Sequence, residues 1–200
     1  MLELSIFAAK VSEWHTNYAL KESNAVRGHD KQTPYYVHPI GCAYFIMEDN
    51  NGISYEKRLE LAVAMMGHDL KEDTAIIENG INLETEIKYI FGDSDFAKRC
   101  DSLINKCTLE PGLGSMDEYR ILLERQEDVQ AELWYLKLVD KYFNIFGSKE
   151  YFIKKNTLQK YLEFLEFLIY KVKDTEFKDS SFIASAESLI AKYNKLQEIK

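Results

Sequence analysis

Apolar side chains recur at steps of three and four positions along most of the chain, which is the spacing of helices that bury one face. Residues 55–71 are apolar almost all round, which predicts a central, buried helix. No segment alternates apolar and polar residues as a half-buried strand does. The pattern therefore predicts an all-α fold, a compact bundle of about eight to ten helices. In the first predicted helix, 3–22, the stripe is formed by Leu4, Phe7, Ala8, Val11, Trp14, Tyr18 and Ala19.

Turn-forming residues predict where these helices begin and end. Asn82 is placed as the N-cap of a helix that ends near Gly92. Loops are predicted over 23–36, 49–52 and 110–114. Further helices are predicted over 38–48, 95–107, 116–126 and 128–146, with two more in 150–198 that are separated near 174–179. The sequence has no repeat and no low-complexity linker, so we expect residues 1–200 to form one domain, with the helices of 150–198 packed on the rest.

Composition and charge narrow the classes of partner. Nine Gly and three Pro in 200 residues are too few for a disordered or turn-rich all-β chain. The net charge of −8 argues against a binder of nucleic-acid polymers or of membrane surfaces, because both need a basic face. We expect a cytoplasmic protein, because no secretory signal or membrane span is apparent. The expected state of Cys42, Cys100 and Cys107 is reduced.

The candidate chemistry begins at His68 and Asp69, at the end of the most apolar predicted helix. An ionisable pair in a buried helix is costly unless it is paired or bound to a metal. Glu72 and Asp73 follow His68 and Asp69 at a spacing of four, so a continuous helix would gather these side chains on one side. Imidazole and carboxylate are ligands for Mn, Fe or Zn, which makes this segment a candidate metal site. A solvated acidic helix end is the alternative.

Other parts of the chain supply further candidates. His38 precedes Pro39 after the predicted loop, and Asp140 is a lone acid on an apolar helix with Asn144 four residues later. An isolated acid in apolar surroundings is typical of a ligand. His15, beside Trp14 on the first predicted helix, is expected to be structural or exposed.

These residues follow the order H…HD…D of the HD-domain metal-dependent phosphohydrolases. Four stretches resemble the hydrolase domain of the RelA/SpoT alarmone enzymes, in particular the stand-alone small alarmone hydrolases: TPYYVHPIGCA, AMMGHDLKEDT, IKYIFG and YLKLVDKYFN. The resemblance covers residues 5–150. It implies the HD-domain bundle of helices.

The resemblance also implies a reaction and roles for individual residues. The reaction is hydrolysis of the 3′-pyrophosphate of guanosine tetra- or pentaphosphate, giving GDP or GTP and pyrophosphate. One divalent metal, Mn²⁺ in the family, with other transition metals left open, would be held by His38, His68, Asp69 and Asp140. The attacking water would be positioned and activated by Glu72 and Asp73. The small nucleotide substrate would be contacted by Arg27, Lys31, Tyr35 and Asn144.

Departures from the family pattern leave the substrate open. Lys141 stands where the family commonly has Arg, and it lacks the planar fork of a guanidinium. Gly147 stands where a Thr is common. Two alternatives therefore remain, an HD-family phosphohydrolase of another nucleotide and a catalytically silent domain that binds a nucleotide or a protein. Assembly into a homo-oligomer is also left open.

Overall fold

A computed structural model of the chain describes residues 1–21, 25–108 and 130–197. These residues form helices without a β-strand, so the all-α prediction is confirmed for them. The predicted loop 110–114 and helix 116–126 lie outside the described residues. None of the described helices is both long and apolar enough to cross a membrane. The helices are α1 (Leu2–Asn17), α2 (Val37–Glu48), α3 (Tyr55–Gly67), α4 (Leu70–Asp73), α5 (Leu83–Phe91), α6 (Ser94–Cys107), α7 (Gln130–Lys154), α8 (Leu158–Lys173) and α9 (Ser181–Gln197).

The chain divides into two compact units. The first consists of Met1–Glu48 and Tyr55–Leu113, and the second of Asp49–Ser54 and Gly114–Lys200. That the whole chain forms one domain stays a prediction.

In the first unit, α3 is the central helix. Its residues from Glu60 to Gly67 are all buried, and α1, α2 and α6 pack against it. Gly67 is needed at the contact with α6, because a Cβ atom built there would lie 2.5 Å from Cδ1 of Ile104. The apolar character of α3 thus reflects its burial on several sides.

Two helices end earlier than the sequence indicates. Helix α3 ends at Gly67 rather than at residue 71, and glycine is a poor helix former. Helix α1 ends at Asn17 rather than at residue 22. The backbone beyond α1 pairs elsewhere: Ala75 N donates to Tyr18 O at 2.7 Å and Leu20 N donates to Asp73 O at 2.9 Å. These bonds take the place of further helical turns.

The caps predicted around α5 are confirmed. The Asn82 side chain accepts a hydrogen bond from Thr85 N at 2.8 Å, and Gly92 ends the helix in the left-handed region with a φ of 74°. Asp93 then caps α6 by accepting hydrogen bonds from Asp95 N and Phe96 N.

In the second unit, α7, α8 and α9 pack on one another, and the buried carboxylate of Asp49 anchors the start of α9. Asp49 Oδ2 accepts hydrogen bonds from the hydroxyls of Tyr135 at 2.9 Å and Ser180 at 2.5 Å. Asp49 Oδ1 accepts hydrogen bonds from the backbone and side chain of Ser181, each at 3.1 Å. The 49–54 segment is thereby fastened to the helices of this unit.

We expect Gly67→Ala to lower the free energy of unfolding by about 1–3 kcal/mol, because the new methyl group overpacks against Ile104. Gly41→Ala on α2 is the matched control: a Cβ there meets no atom within 4 Å beyond its chain neighbours and the backbone of its own helix, so its stability should be unchanged or slightly raised. Urea unfolding measures both. Ile104→Val removes the clashing Cδ1 and should recover part of the loss. Equal stability of the two alanine variants would contradict the close approach.

We expect Asp49→Ala to lower the free energy of unfolding by about 3 kcal/mol, because it leaves the buried hydroxyls of Tyr135 and Ser180 without their acceptor. Asp49→Asn should cost less, since its amide oxygen still accepts. Asp179→Ala, at an exposed acid close to α9, should change little. Thermal unfolding followed by circular dichroism measures the series. An unchanged melting temperature for Asp49→Ala would show that the carboxylate does not anchor α9.

Candidate functional site

The turn after α3 places an imidazole and a carboxylate together in a nearly closed environment. His68 is 3% exposed and Asp69 is 9% exposed. His68 Nε2 lies 2.9 Å from Asp69 Oδ1, and His68 Nδ1 lies 2.7 Å from the carbonyl oxygen of Met65. A carbonyl can only accept, so Nδ1 donates its proton there. Nε2 and a carboxylate oxygen can face each other at this distance only with positive charge between them, from a proton or a bound cation.

This arrangement has the chemistry of a metal ligand pair. Histidines that bind metals commonly donate the second ring nitrogen to a carbonyl or a carboxylate, which fixes the ring and its tautomer. His68 does so through Met65 O, and Asp69 supplies an anionic oxygen beside the other nitrogen. The two donors therefore fit a divalent transition metal. In the part of the chain that the structure describes, no group of three or more His, Cys, Asp or Glu side chains is arranged to hold a metal ion.

The short helix α4 carries Glu72 and Asp73 directly beyond this pair. Both side chains are half-buried, and their backbone N–H groups donate to Asp69 O at 3.2 and 2.9 Å. Because α3 ends at Gly67, the expectation that His68 and Glu72 share one continuous helix is wrong. The structure instead brings the residues together by a turn and α4, and Asp73 O is fixed by Leu20 N.

The 25–35 segment is a loop closed by its own backbone. Arg27 N donates to Thr33 O at 2.7 Å, and Tyr35 N donates to Ala25 O at 2.9 Å. Asp30 Oδ1 accepts from two backbone N–H groups inside the loop, and these hydrogen bonds hold the pKa of Asp30 well below its usual range. Lys31, an exposed residue, has a φ of 60°. The loop thus holds a defined shape, with Arg27 buried and Lys31 open to solvent.

Tyr35 joins this loop to the His68–Asp69 turn. Its hydroxyl donates to Asp69 Oδ2 at 2.8 Å. The Arg27 guanidinium lies 5.6 Å from the centre of the Tyr35 ring, a cation–π distance. The direct role that the structure gives Tyr35 is therefore to orient Asp69. Its predicted contact with substrate stays a prediction, as do those of Arg27 and Lys31.

His38 begins α2 close to a thiol. It is half-buried, and Cys42, one turn further along the helix, places its sulfur 3.7 Å from His38 Nδ1 and 3.9 Å from His38 Nε2. Cys42 itself is buried.

The remaining predicted residues, Asp140 and Asn144, lie on α7 in the second unit. Asp140 is 3% exposed, as its apolar surroundings in the sequence suggest. Its Oδ1 accepts from Asn144 Nδ2 at 2.7 Å, and its Oδ2 lies 2.8 Å from Lys141 Nζ. Asp140 is thus a buried carboxylate with a cation and an amide on its two oxygens. That Asp140 joins His38, His68 and Asp69 on one metal stays a prediction.

His15 was expected to be either structural or exposed. It is fully buried on α1, and its ring lies 5.3 Å from that of Tyr35. Burial lowers the pKa of His15 to about 4, while the nearby charges of Asp69 and His68 act in opposite directions. The signal was present, since His15 lies four residues after Val11 in the buried stripe of α1. The buried position fits the structural alternative and excludes the exposed one.

Comparisons with known proteins bear on the fold. No protein-family model matches the chain, and no curated protein matches its sequence. A solved structure, described as a metazoan ortholog of SpoT that hydrolyses ppGpp and plays a role in starvation responses, matches with a TM-score of 0.62. The match has 15% sequence identity and covers 97% of this chain and 96% of that one. The chain therefore has the fold of this ppGpp hydrolase, which confirms the fold that the resemblance implies.

Proposed function

We propose that the chain is a Mn²⁺-dependent hydrolase of the RelA/SpoT type. It removes the 3′-pyrophosphate of guanosine tetra- or pentaphosphate and releases GDP or GTP with pyrophosphate. The observation that carries this proposal is the buried pair of His68 Nε2 and Asp69 Oδ1 at 2.9 Å, two donors suited to a metal in the position where the motif predicts one. The fold shared with a ppGpp hydrolase supports the same class of substrate.

His38, His68, Asp69 and Asp140 would hold the ion. When bound, a Mn²⁺ ion lowers the pKa of a coordinated water and neutralises phosphate oxygens. Neutral imidazole and carboxylate donors suit this ion.

Glu72 and Asp73 would position the attacking water and accept its proton. A carboxylate can do this only within hydrogen-bond reach of the water. Their attachment to Asp69 O through two backbone hydrogen bonds supports that role, because it keeps the two acids beside one of the proposed ligands. The second proton acceptor allows one carboxylate to orient the water while the other takes its proton.

The substrate is strongly anionic, so it needs cationic donors outside the metal site. Arg27 and Lys31 would supply them from the closed 25–35 loop, with Tyr35 at its end. Asn144 would contact the nucleotide from α7. The net charge of −8 implies that this attraction is local rather than a property of the whole surface. A small nucleotide is thus the proposed partner, in the cytoplasm.

The departures at Lys141 and Gly147 favour a second candidate, hydrolysis of a different phosphorylated nucleotide by the same metal site. Lys141 keeps the positive charge but lacks the planar fork of a guanidinium, so it cannot make a bidentate contact.

Incubation of the protein with Mn²⁺ and guanosine tetraphosphate should release pyrophosphate and GDP, and chelation by EDTA should stop the release. Chromatography of the nucleotides measures the products. Turnover of another nucleotide in a parallel panel, with no release from the alarmone, would favour the second candidate. A protein that retains no transition metal and hydrolyses no member of the panel would be the catalytically silent domain.

Single substitutions separate the proposed roles. His68→Ala and Asp140→Ala should abolish metal retention, measured by elemental analysis of the purified protein. Glu72→Ala should keep the metal and lower kcat by about 10²–10⁴-fold, because it removes a proton acceptor and leaves the ligands. Glu78→Ala, an exposed acid six residues later, is the matched control and should keep both metal and activity. Loss of metal in Glu72→Ala would refute this division of roles.

A further inference from the structure

The burial of His15 costs free energy, because its ring is polar. It has no exposed surface, and neither ring nitrogen has a hydrogen-bond partner within the described chain. A buried polar group without a partner costs free energy, so such groups are uncommon and usually serve a ligand, a water or catalysis. An apolar ring would fill the same space without that cost. The polar nitrogens therefore need an explanation other than packing.

The position of His15 explains why its ring nitrogens are polar and buried. Its ring lies 5.3 Å from Tyr35 at a tilt of 34°, and the Tyr35 hydroxyl donates to Asp69 Oδ2 at 2.8 Å. The charges of Asp69 and His68 both act on His15. Helix α1, which carries His15, packs on both α3 and α4, the helices on either side of the His68–Asp69 turn. His15 thus belongs to the surroundings of the proposed metal site.

We propose that His15 is a further binding residue of this site, whose ring nitrogen hydrogen-bonds an oxygen that enters with the ligand. The inference rests on the proposed metal site. This oxygen belongs either to a water that accompanies the metal or to the pyrophosphate group of the substrate, and both are hydrogen-bonding oxygens. A neutral imidazole suits either, because it donates from one nitrogen and accepts at the other.

The electrostatics of His15 agree with this role. Burial lowers its pKa to about 4, so the ring is neutral at pH 7. A neutral ring adds no positive charge next to a divalent cation, whereas Lys or Arg in its place would repel one. The ring extends from the regular backbone of α1, a helix of 16 residues.

The test compares His15→Phe with wild type, both as the full chain. Phenylalanine keeps a ring beside Tyr35 and removes the nitrogens. Binding of Mn²⁺ alone is measured from the loss of the free-ion signal in electron paramagnetic resonance, and binding of inorganic pyrophosphate to the Mn²⁺-loaded protein is measured by calorimetry. We expect His15→Phe to weaken one of these by about tenfold, the loss typical of groups that support metal ligands. A weaker Mn²⁺ Kd identifies the water, and a weaker pyrophosphate Kd alone identifies the phosphate oxygen.

Two further variants separate binding from packing. His15→Gln keeps an uncharged donor and acceptor and should recover part of the affinity that His15→Phe loses. Trp14→Phe alters the neighbouring buried side chain of α1, so it should lower the melting temperature without changing either Kd. Unchanged affinities in His15→Phe, or equal losses in His15→Phe and Trp14→Phe, would overturn the inference. Wild-type protein that binds neither probe would overturn it as well.

Failure of this inference and failure of the proposed function give different results. If wild type hydrolyses the alarmone and His15→Phe keeps both affinities, the function stands and the role of His15 does not. If wild type binds Mn²⁺ but hydrolyses no alarmone, the two affinities of His15→Phe still decide the role of His15.

Discussion

An imidazole nitrogen and a carboxylate oxygen that face each other at 2.9 Å, nearly out of reach of water, set the main electrostatic constraint on this molecule. The attraction of a carboxylate for a protonated imidazole or a bound cation is stronger in a protein interior than in water, because the effective dielectric constant is lower there. The chain therefore has to supply positive charge at His68 and Asp69, or bind it. Several contacts in the first unit hold these two side chains at this distance.

Residues before the pair, after it and far from it in the sequence hold the pair in place. Before the pair, Gly67 allows α3 to approach Ile104 closely and then ends the helix, which turns His68 and Asp69 out of the helical path. After the pair, α4 is bonded back to Asp69 O. From the side, Tyr35 holds Asp69 Oδ2. Each support fixes a different atom, so the pair has little freedom to relax by moving apart.

The helices were predictable because their signals are local. Apolar periodicity and the caps at Asn82 and Gly92 depend on neighbours within one or two turns. The early end of α1 was not predictable in this way, since it depends on hydrogen bonds between residues 18–20 and 73–75, which are far apart in sequence. The helix-spacing argument for His68 and Glu72 failed because periodicity alone does not show where an apolar run stops being helical.

The candidate site was predictable only in part, for a related reason. Residue types and their order single out His68, Asp69, Glu72 and Asp73 as candidates, and these four residues lie in one turn and α4. The contact of Tyr35 with Asp69 joins positions 34 residues apart, and no local pattern encodes it. The multiple hydrogen bonds of Asp49 span still longer separations, which is why a residue that looks like part of a plain turn becomes a buried anchor.

The buried ring of His15 also couples the fold to acidity. Its folded-state pKa of about 4 lies below the ordinary value of 6.5, so the unfolded chain takes up a proton more readily than the folded one. The resulting stability is fully present above pH 6.5 and is lost as the pH falls through 4, to a total on the order of 3 kcal/mol. A loss of that size is a large share of the stability of an ordinary domain. Mild acid is therefore expected to lower the stability of the unit that carries His15.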